Sequence, residues 1–583
     1  MFEVDPVKAL RPHFEAALTA AFGAEYSQTD PMLQWSDRAD LQSNVAMGLA
    51  RKVGQNPRAV AENLLKHLSA NDIIEKTELA GPGFINITLR TDWLAAGLSA
   101  RLEDPRLGVP EATVRDTVVV DYSAPNVAKE MHVGHLRSSV IGDSLARLLE
   151  WRGHTVLRQN HIGDWGTPFG MLIEHLLDLG EEQTAAEVSV GELSAFYKAA
   201  RKKFDSDSEF AERARNRVVS LQRGDEETLR LWRQLVELSA KYFEAIYDKL
   251  DVTLRREHVA GESSYNALLA PVAQELTDTG LAVMSDGALC VFPPGFKSKS
   301  GEPLPLIVRK SDEGFGYAAT DLAAVKHRTQ TLKATRMLYV VGAPQEQHFA
   351  MVFAVARMAG WLTDAIRVTH VAFGSVLGTD KQMYRTRSGD SVRLIDLIDE
   401  AIDRARQEVQ AKSPHLDPQE QAQIARDVGV AAIKYADLSS DRVRDYVFDL
   451  ERMTRAEGNT GPYLQYAHAR TRSILRKALE QGHAVPVAHT PLAVGSEPAE
   501  KQLMLHLSRF GAAVESVESL LEPHKLCTYL YELASRFASF YDQCPVLRSE
   551  GDVRAGRLAL VQATGDTLNV GMSLLGLRAP TRM

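Results

Sequence analysis

The stretch Ser123–His154 reads SAPNVAKEMHVGHLRSSVIGDSLARLLEWRGH, and its reading decides the fold. Upstream lies DTVVVDYS (Asp116–Ser123), a short apolar run of the buried-strand type. Downstream, Leu136, Val140, Ile141, Leu145, Leu148 and Leu149 recur at helical spacing until Gly153, where a helix stop is expected. TVLRQN then reads as a second strand. Strand, loop, helix and strand in this order are the building block of a nucleotide-binding parallel sheet. The two histidines, His132 and His135, fall on the first turn of that helix. Free N–H groups and the helix dipole there favour an anion. Imidazoles at that point can donate to phosphate oxygens, Gly134 leaves room for a base or phosphate to approach the backbone, and Lys129 adds a mobile positive charge. Two solvent-facing histidines at an ordinary helix start are the plain alternative.

Working outward, 583 residues exceed one core and predict several domains. Residues 1–110 read as a small α+β unit, with helical spacing in LQSNVAMGLARKVG and PRAVAENLLKHLSA and a strand in GPGFINITL. Residues 111–390 read as a Rossmann-type domain carrying a charged helical insertion at about 173–250. ALCVFPP, LPLIVRK, MLYVVGA and IRVTHVAFG are expected to complete its sheet. Residues 391–457 are a helical connection, and 458–583 an all-helical domain. The fold class is thus multidomain α/β with an all-α C-terminal bundle.

The formal charge of −9 is unlike that of a typical nucleic-acid binder. It is uneven, however. From Gly458 onward 13 Lys/Arg stand against 11 Asp/Glu, giving +2 there and −11 elsewhere. Cys290, Cys527 and Cys544 lie far apart with no Cys-x-x-Cys pair, against a disulfide framework or cysteine zinc site. No apolar run is long enough to span a bilayer, and no basic start followed by an apolar stretch marks a secretory signal; a cytoplasmic protein is expected.

APNVAKEMHVGHLRS resembles the first signature of class I aminoacyl-tRNA synthetases, in the form found in arginyl-tRNA synthetases. The resemblance continues through NHIGDWGTPFG (Asn160–Gly170), GES (Gly261–Ser263), YAATDLAAVKHR (Tyr317–Arg328) and VGAPQEQHFAMVF (Val341–Phe353). It extends to KYADLSSDRVRDYVFD (Lys434–Asp449), GNTGPYLQYAHAR (Gly458–Arg470) and LLGLRAPTRM (Leu574–Met583). It implies ligation of L-arginine to its cognate arginine tRNA through an arginyl-adenylate, with ATP as co-substrate, Mg²⁺ arriving with it and no zinc. His132, His135 and Lys129 are implied in catalysis. ATP would meet His132, Gly134, His135, His348, Lys381 and Arg385. Arginine would meet Asn126, Glu262, Tyr317, Asp321 and Gln345; a guanidinium needs carboxylates in fork geometry. Tyr317 and Asp321, four apart, share one face if that stretch is helical.

One departure stands out. The second class I signature, Lys-Met-Ser-Lys-Ser, is missing; its place reads GTDKQMYRTRSGDSVRL (Gly378–Leu394). The resemblance implies that Lys129 substitutes, with Lys381, Arg385 and Arg387 as the alternative or as a solvated loop. In the C-terminal domain Tyr463, Tyr466 and Arg470, with Gln465 and His468, are candidates for tRNA contact, the tyrosines being equally readable as core. The N-terminal domain is implied to touch tRNA. No membrane partner is implied, and the expected state is a monomer. Cysteinyl and methionyl enzymes would be expected to carry zinc-ligand cysteines, and the isoleucyl, valyl and leucyl types a large editing insertion. A small-molecule nucleotidyltransferase would not need the helical C-terminal domain. A non-catalytic tRNA-binding paralogue is disfavoured by the intact histidine signature and pocket residues.

Overall fold

The run Thr117–Asp121 is buried on both faces, and its alternation divides the molecule's interior. Val118 and Val120 point into one apolar core and Val119 into another. In the computed structural model, which describes residues 2–180, 193–384, 392–484, 493–495 and 497–583, this strand is central to a four-stranded parallel sheet. Numbering strands along the chain, β1–β4 (Leu33–Trp35, Leu41–Ser43, Ile74–Ala80, Phe84–Leu89) belong to the N-terminal unit. The central strand is β5, followed by β6 (Thr155–Gln159), β7 (Ala282–Ser285), β8 (Ala288–Val291), β9 (Leu306–Arg309), β10 (Arg336–Tyr339) and β11 (Arg367–His370). The parallel sheet runs β11-β10-β5-β6.

The signature helix, Val133–Trp151, connects β5 to β6. Its close fit depends on Gly142, where a Cβ would collide with the Tyr122 side chain. The chain leaves it through Gly153 at φ +91°, as expected of a glycine stop. The other face of the sheet is covered by the helix Tyr317–Gln330, here the pocket helix. Arg328 near its end is fully buried, with Nη2 2.7 Å from Asp121 Oδ2, Nε 2.6 Å from Gln159 Oε1, and the guanidinium 4.9 Å from the Tyr339 ring centre. Those three partners are the last residues of β5, β6 and β10 and lie in one cross-strand row. One guanidinium therefore ties the pocket helix to the carboxyl edge of the sheet.

Two strands do not go where they were expected. ALCV and LIVR join Ala282–Ser285 in a separate antiparallel sheet, β7-β8-β9, rather than extending the parallel one. The cause is local: Asp286 (φ +48°) and Gly287 (φ +79°) form a two-residue turn that reverses the chain at once.

The N-terminal unit is a β1-β2-β4-β3 antiparallel sheet with helices Pro6–Phe22, Val45–Val53 and Pro57–His67, and Ile85, Ile87 and Leu89 face its core. The described residues of the insertion are mostly helical, ending in the long helix Glu226–Lys249, while 181–192 lie outside the described residues. Beyond it, helix Pro418–Leu438 meets the signature helix through the buried pair Arg137–Asp437 (3.3 Å). Its Lys434, also buried, donates to Leu250 O (2.8 Å) and Gly576 O (2.7 Å). Helices Gly461–Glu480, His524–Gln543 and Gly551–Leu574 form most of the C-terminal bundle. Among the described residues no helix is long and apolar enough to cross a membrane.

Removing one partner of a buried pair strands the other charge. Arg328→Met is expected to destabilise the parallel-sheet domain by about 3–5 kcal/mol. Asp121→Asn in the same chain should recover part of that loss. Urea denaturation followed by tryptophan fluorescence checks both; a loss below about 1 kcal/mol would remove Arg328 from the role given to it.

Candidate active site

In the parallel sheet the connection after β5 leads to β6 on one side, and that after β10 leads to β11 on the other. The crevice where strand order reverses, at the carboxyl ends of β5 and β10, is where open α/β sheets bind ligands. The loops entering it are residues 122–132 and 340–345, the two stretches richest in candidate residues.

His132 is the N-cap of the signature helix. Its Nδ1 accepts from Gly134 N (3.0 Å), while His132 N donates to Nδ1 of His135 (3.1 Å). This reciprocal cap satisfies two orphan N–H groups of the helix start. It also dictates tautomer: a ring nitrogen that accepts from an N–H carries a lone pair, so each proton sits on Nε2. The ring centres are 4.1 Å apart. Both imidazoles are held neutral: burial and then Lys129 lower His132, while burial and then His132 push His135 down to about 3. The pair is thus a set of neutral N–H donors. Gly134 also leaves room for a neighbour of its own. Its open face is taken by the His132 ring, and an added Cβ would lie 2.7 Å from His132 Cε1.

The loop between strand and helix is strained. Ser123, Ala124 and Ala128 all have positive φ (+73°, +48°, +59°). Hydrogen bonds hold them there: Ser123 N to Ser138 Oγ (2.8 Å), Ala124 N to Asn160 Oδ1 (3.0 Å) and Ala128 N to Ser239 Oγ (2.9 Å). The result exposes Asn126 and Lys129 on the crevice side of a buried loop. Asn126 lies against Gly163, where a Cβ would strike its Oδ1.

Across the crevice the carboxylates gather. Tyr317 and Asp321 occupy the first turns of the pocket helix, one turn apart, as expected. Glu262 is pushed up to about 8, by burial first and then by the nearby Asp164 and Asp321. Asp164 is buried and accepts from Ser263 N (2.8 Å) and Ser263 Oγ (2.6 Å); burial raises its pKa. Tyr317, near Glu262, is 72% exposed, its pKa raised by burial and by Glu262. Three neighbouring acids with a phenol beside one of them suit a guanidinium. Gln345 is exposed at the end of the β10 loop. His348 has a partner in the pocket: its Nε2 is 2.6 Å from Asp321 Oδ2.

Lys381 is exposed in a turn at φ +61°. Arg385 and Arg387 lie outside the described residues. In the C-terminal domain Tyr466 is 47% exposed and Arg470 lies 4.3 Å from the Tyr541 ring centre, both lining a cleft of about 430 Å³ with Arg476 and Arg582. Tyr463 is half-buried against Tyr531. Gln465 and His468 face inward instead, donating to Arg578 O (2.9 Å) and bonding Pro580 O (2.9 Å), so they anchor the C-terminal tail. Asp164, Tyr197, Ser263 and Arg328 were not singled out from sequence, although Asp164, Ser263 and Arg328 lie inside quoted motifs.

The chain matches three family models: tRNA synthetases class I (R), catalytic domain, over residues 98–450; the DALR anticodon binding domain over 464–583; and the arginyl tRNA synthetase N terminal domain over 8–89. The chain belongs to the arginyl-tRNA synthetases. Curated members of this family include the arginine–tRNA ligase of Thermobifida fusca, 56% identical over 99% of this chain and all of its own length. That of Streptomyces avermitilis is 50% identical over 97% of each. Among solved structures, the arginyl-tRNA synthetase of Plasmodium falciparum superposes with a TM-score of 0.84 at 28% identity, covering 99% of both chains. The Thermus thermophilus enzyme gives 0.80 at 25%, covering 99% of this chain and all of its own. Family and fold agree with the reading from sequence: this is an arginine–tRNA ligase with a class I catalytic domain.

Gly134→Ala forces the His132 ring off its cap. ATP–pyrophosphate exchange is expected to fall by roughly tenfold or more, with the helical circular dichroism unchanged.

Proposed function

We propose that the crevice activates arginine with Mg-ATP and passes it to tRNA, with roles divided as follows. The observation that carries the substrate is the crowding of Glu262 by Asp164 and Asp321, with Tyr317 beside it. Glu262 and Asp321 take the guanidinium, with Tyr317 over its plane. Asn126 and Gln345 meet the amino-acid end. The arginine carboxylate attacks the α-phosphorus, a carboxyl O–P bond forms, the bond to the β-phosphate oxygen breaks, and pyrophosphate leaves. The terminal 2′-hydroxyl of tRNA then attacks the carbonyl carbon and AMP leaves. The Nε2–H groups of His132 and His135, with the Lys129 ammonium, stabilise charge on the phosphates as it shifts; no side chain becomes a covalent nucleophile. Neutral donors suit this task, since they need not lose a proton to act. His348, bonded to Asp321, links the arginine and ATP sides, and Lys381 and Arg385 supply the basic loop nearest the missing signature.

The same reading assigns Mg²⁺ to ATP rather than to a protein cage; among the described residues no cluster of three or more His, Cys, Asp or Glu is placed to hold a metal. Tyr463, Tyr466 and Arg470 meet tRNA, with residues 1–110 as a second tRNA-contacting domain, 111–390 catalytic, 391–457 connecting and 458–583 anticodon-binding. The enzyme works as a cytoplasmic monomer.

Exchange assayed with each of the twenty amino acids, with and without tRNA, should proceed with arginine alone and only when tRNA is present. Exchange with another amino acid would overturn the pocket assignment. The raised pKa of Glu262 adds a sharper expectation. Near pH 7 the empty pocket keeps its proton, and an incoming guanidinium favours the carboxylate. Arginine binding should therefore release up to about one proton, and affinity should rise with pH until about 8 and then level off. Calorimetry in buffers of differing ionisation enthalpy measures the proton count. Glu262→Gln should abolish the release and raise the KM for arginine by roughly 30-fold or more.

A further inference from the structure

The insertion helix Leu193–Ser206 carries Tyr197, which no motif in the sequence marks. Its ring centre lies 4.6 Å from Lys129 Nζ. Among the described residues Lys129 forms no ion pair, so the aromatic face is what that ammonium rests on. Cations lie over aromatic faces because the ring quadrupole is negative there, and the attraction grows where water is partly excluded. Tyr197 is half-buried and packed against the main core. Its neighbour Phe196 is buried, its ring centre 5.0 Å from that of His175 of helix Thr167–Leu179. That helix starts just after the Asp164 loop, whose carbonyl accepts from Trp232 Nε1 (2.8 Å) on the last insertion helix. The position of Tyr197 is thus set by packing, whereas Lys129 is a long, exposed side chain on a strained loop. On the other side, Tyr197 is near enough to Tyr317 to contribute to its raised pKa.

We propose that Tyr197 is a positioning residue for Lys129: its ring face holds the ammonium beside the His132–His135 pair, poised for the phosphates of ATP. This rests on the reading of Lys129 as the cation that replaces the second signature. The insertion thereby contributes to the ATP side of the reaction without touching substrate. A free lysine would sample many rotamers, and the ring restricts that search before ATP arrives.

A double-mutant cycle on the full-length enzyme with saturating tRNA tests it, using ATP–pyrophosphate exchange. Tyr197→Leu removes the π face while keeping an apolar filler, and should lower kcat by roughly tenfold. Tyr197→Phe, which keeps the face, should stay within about twofold of the parent. In the Lys129→Ala background Tyr197→Leu should cost nothing further. An equal loss in both backgrounds, or equal behaviour of Phe and Leu, overturns the proposal. If Lys129→Ala leaves too little exchange to measure, the Phe–Leu difference decides alone. If Lys129→Ala keeps full turnover, the reading of Lys129 itself fails, and the proposal with it; loss in Lys129→Ala without loss in Tyr197→Leu removes only the proposal. Melting curves and tRNA binding for each variant separate these outcomes from misfolding.

Discussion

The Arg328–Asp121 pair is the constraint on which the crevice depends. A guanidinium buried beneath the carboxyl edge of a parallel sheet costs desolvation that only close partners offset. Here Asp121, Gln159 and the face of Tyr339, in one row across three strands, supply them. The pair does more than join a helix to a sheet. It stands eleven residues after Tyr317 and seven after Asp321 on the same helix, so it sets how far those side chains project over the strand ends. A helix is stiff on this scale, and anchoring its far end fixes its near end.

Around that frame the site keeps its charges unsatisfied in a directed way. The histidines are held neutral by burial and by Lys129, with their protons turned outward by the reciprocal cap. Opposite them, acids crowd until Glu262 prefers its proton. One wall offers N–H donors and an ammonium, suited to phosphates; the other offers carboxylates, suited to a cation. Two substrates of opposite character can thus be held side by side without their sites interfering. Strain in the Ser123–Ala128 loop is maintained by side-chain hydroxyl and amide acceptors from three separate helices and loops.

The C-terminal bundle is joined to this core by buried polar groups. Lys434 reaches the carbonyls of Leu250 and Gly576, and burial lowers its pKa to about 8. Gln465 and His468 grip the tail from a helix whose opposite side exposes Tyr466. Reading those polar residues as surface contacts was natural, since a glutamine and a histidine among tyrosines resemble an RNA-facing mixture. Their side chains turn inward because the tail's carbonyls need donors once buried.

Much was determined by the sequence alone. The β5 run, the helical spacing after His135 and the glycine stop at Gly153 specify a strand–helix–strand unit by local periodicity, and the ordered motifs identify the family. Tyr317 and Asp321 share a face because helical geometry requires it. Tertiary structure decided what periodicity cannot carry. ALCV and LIVR are strands by composition, yet which sheet they join depended on a two-residue turn. Gly134 also makes room for the His132 ring, because the ring folds back to cap its own helix. Asp164, Tyr197 and Arg328 become meaningful only through partners such as Ser263, Lys129 and Asp121, which lie 99, 68 and 207 residues away, since a buried charge or a cation over a ring is defined by what folding brings beside it.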